Sequence, residues 1–532
     1  MTYVITHGCC GDGSCIPVCP VQCIRPRPGD PDFTSTEQLY IDPATCIDCG
    51  ACMDECPVNA IHSEWDLPDE LGEYLAVNAA HFAQNPVEES SPVKQPRRVL
   101  PTENPELRVA IIGTGPAGCY AASALTDIKG VGVTMFERLP TPFGLVRAGV
   151  APDHAGTKQI SKRFGAVLAR PSVTCYFNVE VGRDITVDEI LEHHHAVIWA
   201  VGAGDDRGLG VPGEDLAGSV SAREFVGWYN GHPDFADRDF DFSGKRAVII
   251  GNGNVALDAA RILARPVDAL ASTDIADHAL ARLATSQISD VVVTARRGPE
   301  HAAFTSGELS GLVHTEDIAV RTVGEELTGL DGTDRASRIL LEAAGQAGSD
   351  NRSITFRFGL TPEAFKGLGH VESVIFRRPD GTRETMEATL VIRAIGHRGR
   401  EVAGLPFDEA RGTVVNDGGR IIDPGTGDAV VGNYCTGWFK RGATGMIGTN
   451  KADSEETVET LLSDFTAGAL QDPTGDADVL DKLVRERQPD VVGKDAWARI
   501  DQAERARGRQ ARRPRQKFIS VTEMLEAGRA AG

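Results

Sequence analysis

The chain has 532 residues, 41% of them apolar and 24% charged, so it can bury large cores, and its length suggests about three or four structural units. Its net charge is −22, and residues 1–84 alone hold thirteen acidic side chains against two basic ones, a block that argues against nucleic acid as a ligand. No run of about 18 apolar residues occurs, and the first residues, "MTYVITHGCCGDG", lack a basic stretch followed by an apolar one; the expectation is a soluble cytoplasmic protein with no membrane partner.

Nine of the twelve cysteines precede residue 57, which is the distribution of a ligand cluster and not of a disulfide framework. "CIDCGACMDECP" places Cys46, Cys49, Cys52 and Cys56-Pro57 in the bacterial iron-sulfur cadence without a gap. "GCCGDGSCIPVCP" (8–20) keeps Cys9, Cys15 and Cys19-Pro20 but has Asp12 where the second cysteine belongs. In two-cluster ferredoxins the first three cysteines of a run hold one cluster and the fourth crosses to the other. Cys46, Cys49, Cys52 and Cys19 therefore read as ligands of one [4Fe-4S] cluster, and Cys9, Cys15 and Cys56 as three ligands of a second. That second cluster is either [3Fe-4S], with the corner iron missing, or [4Fe-4S], with Asp12 as candidate fourth ligand. Cys10 breaks the two-residue spacing and reads as a non-ligand, and Cys23 as a thiol packed beside a cluster. The acidic block itself is either a solvated surface or a face that docks on basic groups of a partner or of the same chain.

Leu71, Tyr74, Leu75 and Phe82 recur at near-helical spacing and predict a helix that closes the first unit. Residues 85–106 hold five prolines and no apolar periodicity, the pattern of an extended linker. "LRVAIIGTGPAGCYAASAL" then reads as strand, glycine turn and helix, with Gly113, Gly115, Pro116, Ala117 and Gly118 at a helix N-terminus that suits a pyrophosphate. "VTMFERL" ends in Glu137, placed to bond ribose hydroxyls. "HHH" (193–195) precedes an apolar strand without ligand spacing and reads as a helix end rather than a metal site.

"KRAVIIGNGNVALDAARIL" (245–263) repeats the dinucleotide grammar, with Ala256 in the third glycine's place. Its partner strand, "DVVVTARRG", ends in Arg296 and Arg297 instead of an acid; two guanidiniums suit the 2′-phosphate of NADP, the alternative being an exposed basic turn. The long spacing from Gly251 to Arg296 requires an insertion around 265–288. The basic run "RARGRQARRPRQK" (505–517) has no interleaved aromatics, so nucleic-acid binding is set aside there too.

These stretches together resemble the adrenodoxin-reductase-like ferredoxin-NADP reductases, a branch of the glutathione-reductase-type flavoproteins. The resemblance spans residues 107–532 through "GTGPAG", "PFGLVRAGVAPDH" (142–154), "GNGNVALDAARIL", "RRGPEHAAFTSGEL" (296–309) and "GWFKRGATGMIG" (437–448). The first 84 residues resemble a seven-iron-type bacterial ferredoxin. The fold class implied is an α+β two-cluster ferredoxin domain followed by an α/β flavoprotein with two dinucleotide-binding domains. The division implied is 1–84 ferredoxin, 85–106 linker, 107–206 first part of the FAD domain, 207–396 NADP domain, and 397–532 second part of the FAD domain with a C-terminal tail.

The resemblance further implies FAD on the Gly113–Gly118 turn, Glu137, Leu145, Val181, Trp438 and the segment Gly445, Met446 and Ile447. It implies NADP(H) on Asn252, Gly253, Asn254 and Val255, with Arg296 and Arg297 on the 2′-phosphate. His154 lies beside the flavin, and Glu308 with Gly445 borders the nicotinamide, the two side chains His154 and Glu308 orienting and tuning the reaction. Ala443 replaces the proline usual in that loop. The activity implied is a ferredoxin-NADP(+) oxidoreductase with a built-in ferredoxin: hydride exchange between NADPH and FAD, then single electrons to the iron-sulfur clusters and to ferredoxin or other one-electron acceptor proteins. One alternative is an electron-input subunit similar to the small subunit of glutamate synthase, whose cysteine pattern differs; another, of a different class, is an iron-sulfur redox sensor. A disulfide reductase would need a second cysteine near Cys119.

Overall fold

The structure is a computed structural model that describes residues 2–87, 98–315, 317–344 and 352–529. Within the proline-rich stretch 85–106, residues 88–97 lie outside the described residues.

The chain begins with a small two-hairpin unit. Strand Tyr3–Ile5 pairs antiparallel with Ile61–Ser63, and Ile24–Arg25 pairs with Tyr40–Ile41. Helix Glu73–Gln84 closes it as the apolar spacing predicts, with Tyr74 and Phe82 buried; the third buried residue is Asn78 rather than Leu75. Its amide accepts from the N–H groups of Ile5 and Ile41 and donates to the carbonyls of Ile5 and Tyr74, tying both hairpins to the helix. One buried amide meeting four backbone groups satisfies polar atoms that so thin a core cannot otherwise cover.

A seven-stranded sheet follows, in the order Asn416–Asp417, Arg420–Ile422, Ala429–Cys435, Ala196–Trp199, Leu107–Ile112, Val131–Glu137, Val173–Phe177. Helix Pro116–Thr126 lies against it on Ala117, Gly118, Ala121 and Ala122, all buried. Small residues allow that closeness: a Cβ on Gly118 would stand 2.1 Å from the Gly113 carbonyl oxygen. The second dinucleotide unit is a six-stranded parallel sheet ordered Ser219–Ser221, Leu390–Arg393, Arg246–Ile250, Asp290–Thr294, Ser353–Arg357, Ala319–Thr322, beside a three-stranded antiparallel sheet over 361–387. The chain leaves the first sheet through Asp205–Asp206 and returns through His397–Arg398, and these two passages pair antiparallel. The expected insertion after Gly251 is two helices, Val267–Ala271 and Asp277–Leu283.

The "HHH" stretch is a helix end. Helix Val187–Leu191 is capped by a Thr186–Glu189 box, and His194 then bonds the Ile190 carbonyl and Thr134, while His195 accepts from the Arg108 N–H. The basic run near the C-terminus is taken up internally: Arg513 pairs with Asp277, Arg515 with Asp501 and Glu504, Lys517 with Asp274, and Arg507 lies over Phe518. Among the described residues no helix is long and apolar enough to cross a membrane.

Candidate functional site

Two small cavities of similar size open within the cysteine block. Cys19, Cys46, Cys49 and Cys52 line the first; Cys9, Cys15 and Cys56 line the second, together with Cys10 and Asp12. The last cysteine of each run thus lies with the earlier cysteines of the other. Burial pushes the Cys9 thiol up to about 11 and Cys52 up to about 12, so thiolates here need a cationic partner such as iron. Backbone N–H groups already point at the sulfurs: Gly11 to Cys9 at 3.4 Å, Cys23 to Cys19 at 3.4 Å, Ala60 to Cys56 at 3.2 Å. Such donors suit anionic cluster ligands. Cys23, 3.5 Å from the Cys19 sulfur, lines the first cavity without belonging to either run's cadence.

Gly11 and Gly13, at φ 69° and 66°, carry Asp12 around a left-handed turn that other residues rarely adopt. The Asp12 side chain is 4% exposed. Its oxygens accept from the Ser14 N–H at 3.1 Å, the Ser14 hydroxyl at 2.5 Å and the Arg163 guanidinium at 3.4 Å.

The first glycine turn, residues 113–118, is an open cradle. Gly113, at φ 102°, runs so close to the next strand that a Cβ would meet the Ala200 carbonyl oxygen at 2.5 Å, whereas Gly115 faces open space at the start of the helix. Leu145 (46% exposed), in the short helix Gly144–Ala148, and Val201 (40%), after strand Ala196–Trp199, are exposed apolar side chains beside the turn. A bound flavin nucleotide would cover such surface and meet the helix N-terminus with its phosphates. Glu137 stands at the strand end, where its carboxylate accepts from the Thr114 N–H and hydroxyl at 3.1 and 2.8 Å and from the Leu139 N–H at 3.2 Å. Val181 bridges to Ile185 and packs on the apolar core behind this sheet. Gly445, Met446 and Ile447 lead into helix Thr449–Thr466, pinned by Thr449 on the Met446 N–H and by the Asn450 amide on the Met446 and Ile447 carbonyls. The Trp438 indole donates to Thr444 in the loop that holds Ala443.

The second turn repeats the cradle. A Cβ on Gly251 would meet the Ala394 carbonyl oxygen at 2.1 Å, and Gly253 faces open space. The Asn252 side-chain NH₂ is buried with no hydrogen-bond partner among the described residues, an unspent donor of the kind a nucleotide phosphate takes. Asn254 accepts from the Thr305 N–H at 2.8 Å, and Val255 is 37% exposed. Arg296 and Arg297 follow strand Asp290–Thr294, exposed, with no ion-pair partner among the described residues.

His154 and Glu308 meet at 3.8 Å, with Asp258 3.9 Å from the other imidazole nitrogen. The Arg261 guanidinium lies among them, forking onto Asp153 at 2.8 and 3.0 Å, reaching Asp258 at 2.6 Å and the His154 Nε2 at 2.9 Å. Three potential metal ligands gather here, but this buried cation takes the place a metal would need. Burial raises the Glu308 carboxyl above its ordinary value, while neighbouring His154 pulls it back. Asp153, Asp258 and Arg261 complete this cluster, and the sequence motifs did not single them out. Their one signal was an arginine in the otherwise apolar face of "NVALDAARIL", and a buried arginine needs carboxylates.

The ferredoxin unit packs onto both dinucleotide units. The Cys10 carbonyl accepts from the Gly448 N–H at 2.7 Å, directly after Met446 and Ile447, and Cys10, Val58 and Ala60 join the apolar core around helix Pro116–Thr126. On the other side Glu37 caps helix Ser306–Val313 through the Ser306 N–H, Glu73 accepts from Ser310 and pairs with Arg335, and His7 packs against Gly307. That helix carries Glu308.

The 4Fe-4S binding domain family matches residues 39–62, and the pyridine nucleotide-disulphide oxidoreductase family residues 107–298. A "Probable ferredoxin/ferredoxin--NADP reductase" of Mycobacterium tuberculosis is 45% identical over 551 aligned positions, covering 100% of this chain and 96% of the relative. The "NADPH-ferredoxin reductase FprA" of Mycobacterium leprae is 42% identical over 79% of this chain and 98% of its own length. The solved structure of Mycobacterium tuberculosis FprA in complex with NADPH superposes with a TM-score of 0.75 at 41% identity, covering 80% of this chain and all of that one. The relatives that stop at the reductase show what that part does alone, and the relative that runs the full length shows that the cysteine block is part of the same enzyme: the chain belongs to the ferredoxin/ferredoxin-NADP reductases, and is a ferredoxin-NADP oxidoreductase with a built-in ferredoxin.

Proposed function

We propose that this enzyme carries FAD in the Gly113–Gly118 cradle, NADP(H) in the Gly251–Val255 cradle, and two iron-sulfur clusters in the cysteine cavities, and that its ferredoxin unit is the reductase's own first acceptor. When bound, FAD takes a hydride from NADPH and releases electrons singly, which is what joins a two-electron donor to one-electron clusters. The carrying observation is the Gly448–Cys10 hydrogen bond. It joins the proposed flavin segment to the turn holding Cys9, so the cavity of Cys9, Cys15 and Cys56 is the one that faces the flavin side. The cavity of Cys46, Cys49, Cys52 and Cys19 is the outlet: Cys49 is exposed, flanked by Ile47 at 57% and Met53 at 42% exposure. Acceptor proteins with a one-electron centre dock there.

The remaining roles belong to named side chains. Arg296 and Arg297 hold the 2′-phosphate, Asn252 donates to the pyrophosphate, and Arg261 fixes the His154 imidazole and neutralises Asp153 and Asp258 so that a dinucleotide can approach. The domain division at 206/207 and 396/397 rests on the paired strands that carry the chain across. The second cluster is [3Fe-4S] as isolated, because of the four cysteines lining its cavity Cys9, Cys15 and Cys56 keep the ligand cadence and Cys10 breaks its two-residue spacing. Anaerobic mixing with NADPH tests the internal route: flavin bleaching followed by cluster bleaching at a rate independent of enzyme concentration supports it, and a rate proportional to enzyme concentration refutes it.

A further inference from the structure

We infer that Arg163, on a helix of the FAD domain, keeps the Asp12 carboxylate at the edge of the cluster cavity occupied by hydrogen bonds in competition with a fourth iron, so that docking of the ferredoxin unit on the reductase keeps the second cluster at three irons. The inference rests on the cluster assignment proposed above and adds a control point that the ferredoxin unit does not contain by itself.

Helix Ile160–Leu168 presents Arg163, whose Nη1 donates to the Ser14 hydroxyl at 2.6 Å and reaches an Asp12 carboxylate oxygen at 3.4 Å. Ser14 relays the hold, since its hydroxyl and N–H both donate to Asp12. The backbone of the same turn is fixed from the reductase as well. Lys451 donates to the Asp12 carbonyl at 3.0 Å, and Gly448 lies so close beneath that a Cβ would stand 2.2 Å from the Asp12 nitrogen. Four residues from Gly445 to Gly448 therefore run from the flavin segment to the floor of this turn.

A carboxylate binds iron through the same lone pairs that accept hydrogen bonds. Both Asp12 oxygens are engaged, and a guanidinium cannot release its proton to free them. Its positive charge also opposes entry of a ferrous ion at that corner. Iron binding at Asp12 is a ligand exchange: a [3Fe-4S] core at its 0 level and one Fe²⁺ give a [4Fe-4S] core at its 2+ level. One Fe–O bond forms, the hydrogen bonds from Ser14 and Arg163 break, and no electron moves. The electron that first reduces the three-iron core comes from dithionite in the test below.

The full-length holoenzyme and its Arg163→Gln variant are incubated anaerobically with excess ferrous ion and dithionite. The three-iron EPR signal after reoxidation and the iron content per chain are followed over time. Loss of one charged donor should speed conversion to the four-iron centre about tenfold, as for a charge-assisted hydrogen bond. Ser14→Ala, which removes the relay without touching the reductase, should act in the same direction, and Arg163→Gln combined with Asp12→Asn should abolish the gain. Equal conversion rates in wild type and both single variants overturn the inference, as does a double variant that still converts quickly. A wild type isolated with four irons in both clusters overturns the cluster assignment and the inference together, whereas a three-iron wild type that converts at the variants' rate overturns the inference alone.

Discussion

Replacing Arg296 and Arg297 with alanine should abolish most of the preference for NADPH over NADH. Both guanidiniums are exposed and lack an ion-pair partner among the described residues, so the substitutions break no internal network and the fold should persist. Each charged contact to a phosphate is worth about 1.5–3 kcal/mol. Solvent screening at so exposed a site argues for the lower end, about 1.5 kcal/mol each and about 3 kcal/mol for the pair. That corresponds to about a hundredfold loss in kcat/KM for NADPH, about tenfold for either single variant, and little change for NADH. Steady-state reduction of ferricyanide with each nicotinamide reads the ratio directly, and the wild-type KM for NADPH should rise with salt more steeply than the variant's. A double variant with an unchanged NADPH-to-NADH ratio would refute the assignment of this turn to the 2′-phosphate.

Arg261→Ala should destabilise the protein by about 3 kcal/mol, since Asp258 loses its arginine and Asp153 keeps only its contact with Arg265; urea unfolding of the FAD-loaded enzyme measures it. Glu504 is fully buried and accepts from Arg147, Arg515 and the Phe518 N–H, which together hold its carboxyl below the ordinary value. Its stabilising contribution is therefore present above the ordinary carboxylate pKa and lost as pH falls below it, and Glu504→Gln should lower Tm at neutral pH while flattening that acid limb. His194, buried and pushed down to about 4, stays neutral in the fold. As pH falls below about 6.5 the unfolded chain gains a proton that the folded one does not, so stability should drop by about 3 kcal/mol between pH 6.5 and 4, and a His194→Asn variant should lack that component. Gly448→Ala would push the Cys10–Asp12 turn off the flavin segment; cytochrome c reduction through the clusters should fall more than direct ferricyanide reduction.

Legibility of the molecule from its sequence followed the distance over which its chemistry acts. The cysteine cadence, both glycine turns and the strands around them are local patterns. The crossing of Cys19 and Cys56 follows from that cadence once two runs are present. The Arg261 network joins segments more than 100 residues apart, and its only trace is a charge in an apolar helix face. The contact of Asp12 with Arg163 spans 151 positions and the Cys10 contact with Gly448 spans more than 400, so neither leaves a period or a spacing to read. Charge gave a partial hint. The acidic block suits a solvated surface or a docking face, and Glu37, Glu73 and Asp12 meet groups of the same chain. The basic run at 505–517 carried the opposite lesson: its charges serve buried carboxylates of the fold.

The central claim is that the reductase feeds its own ferredoxin unit through the cluster of Cys9, Cys15 and Cys56. Freeze-quench EPR after anaerobic mixing with a single equivalent of NADPH tests it most directly. The account predicts that the oxidised three-iron signal disappears within one turnover, before or together with the appearance of a reduced four-iron signal, at a rate that does not change with enzyme concentration. Reduction of the four-iron centre while the three-iron signal persists, or clusters that respond to dithionite but not to NADPH, would contradict it.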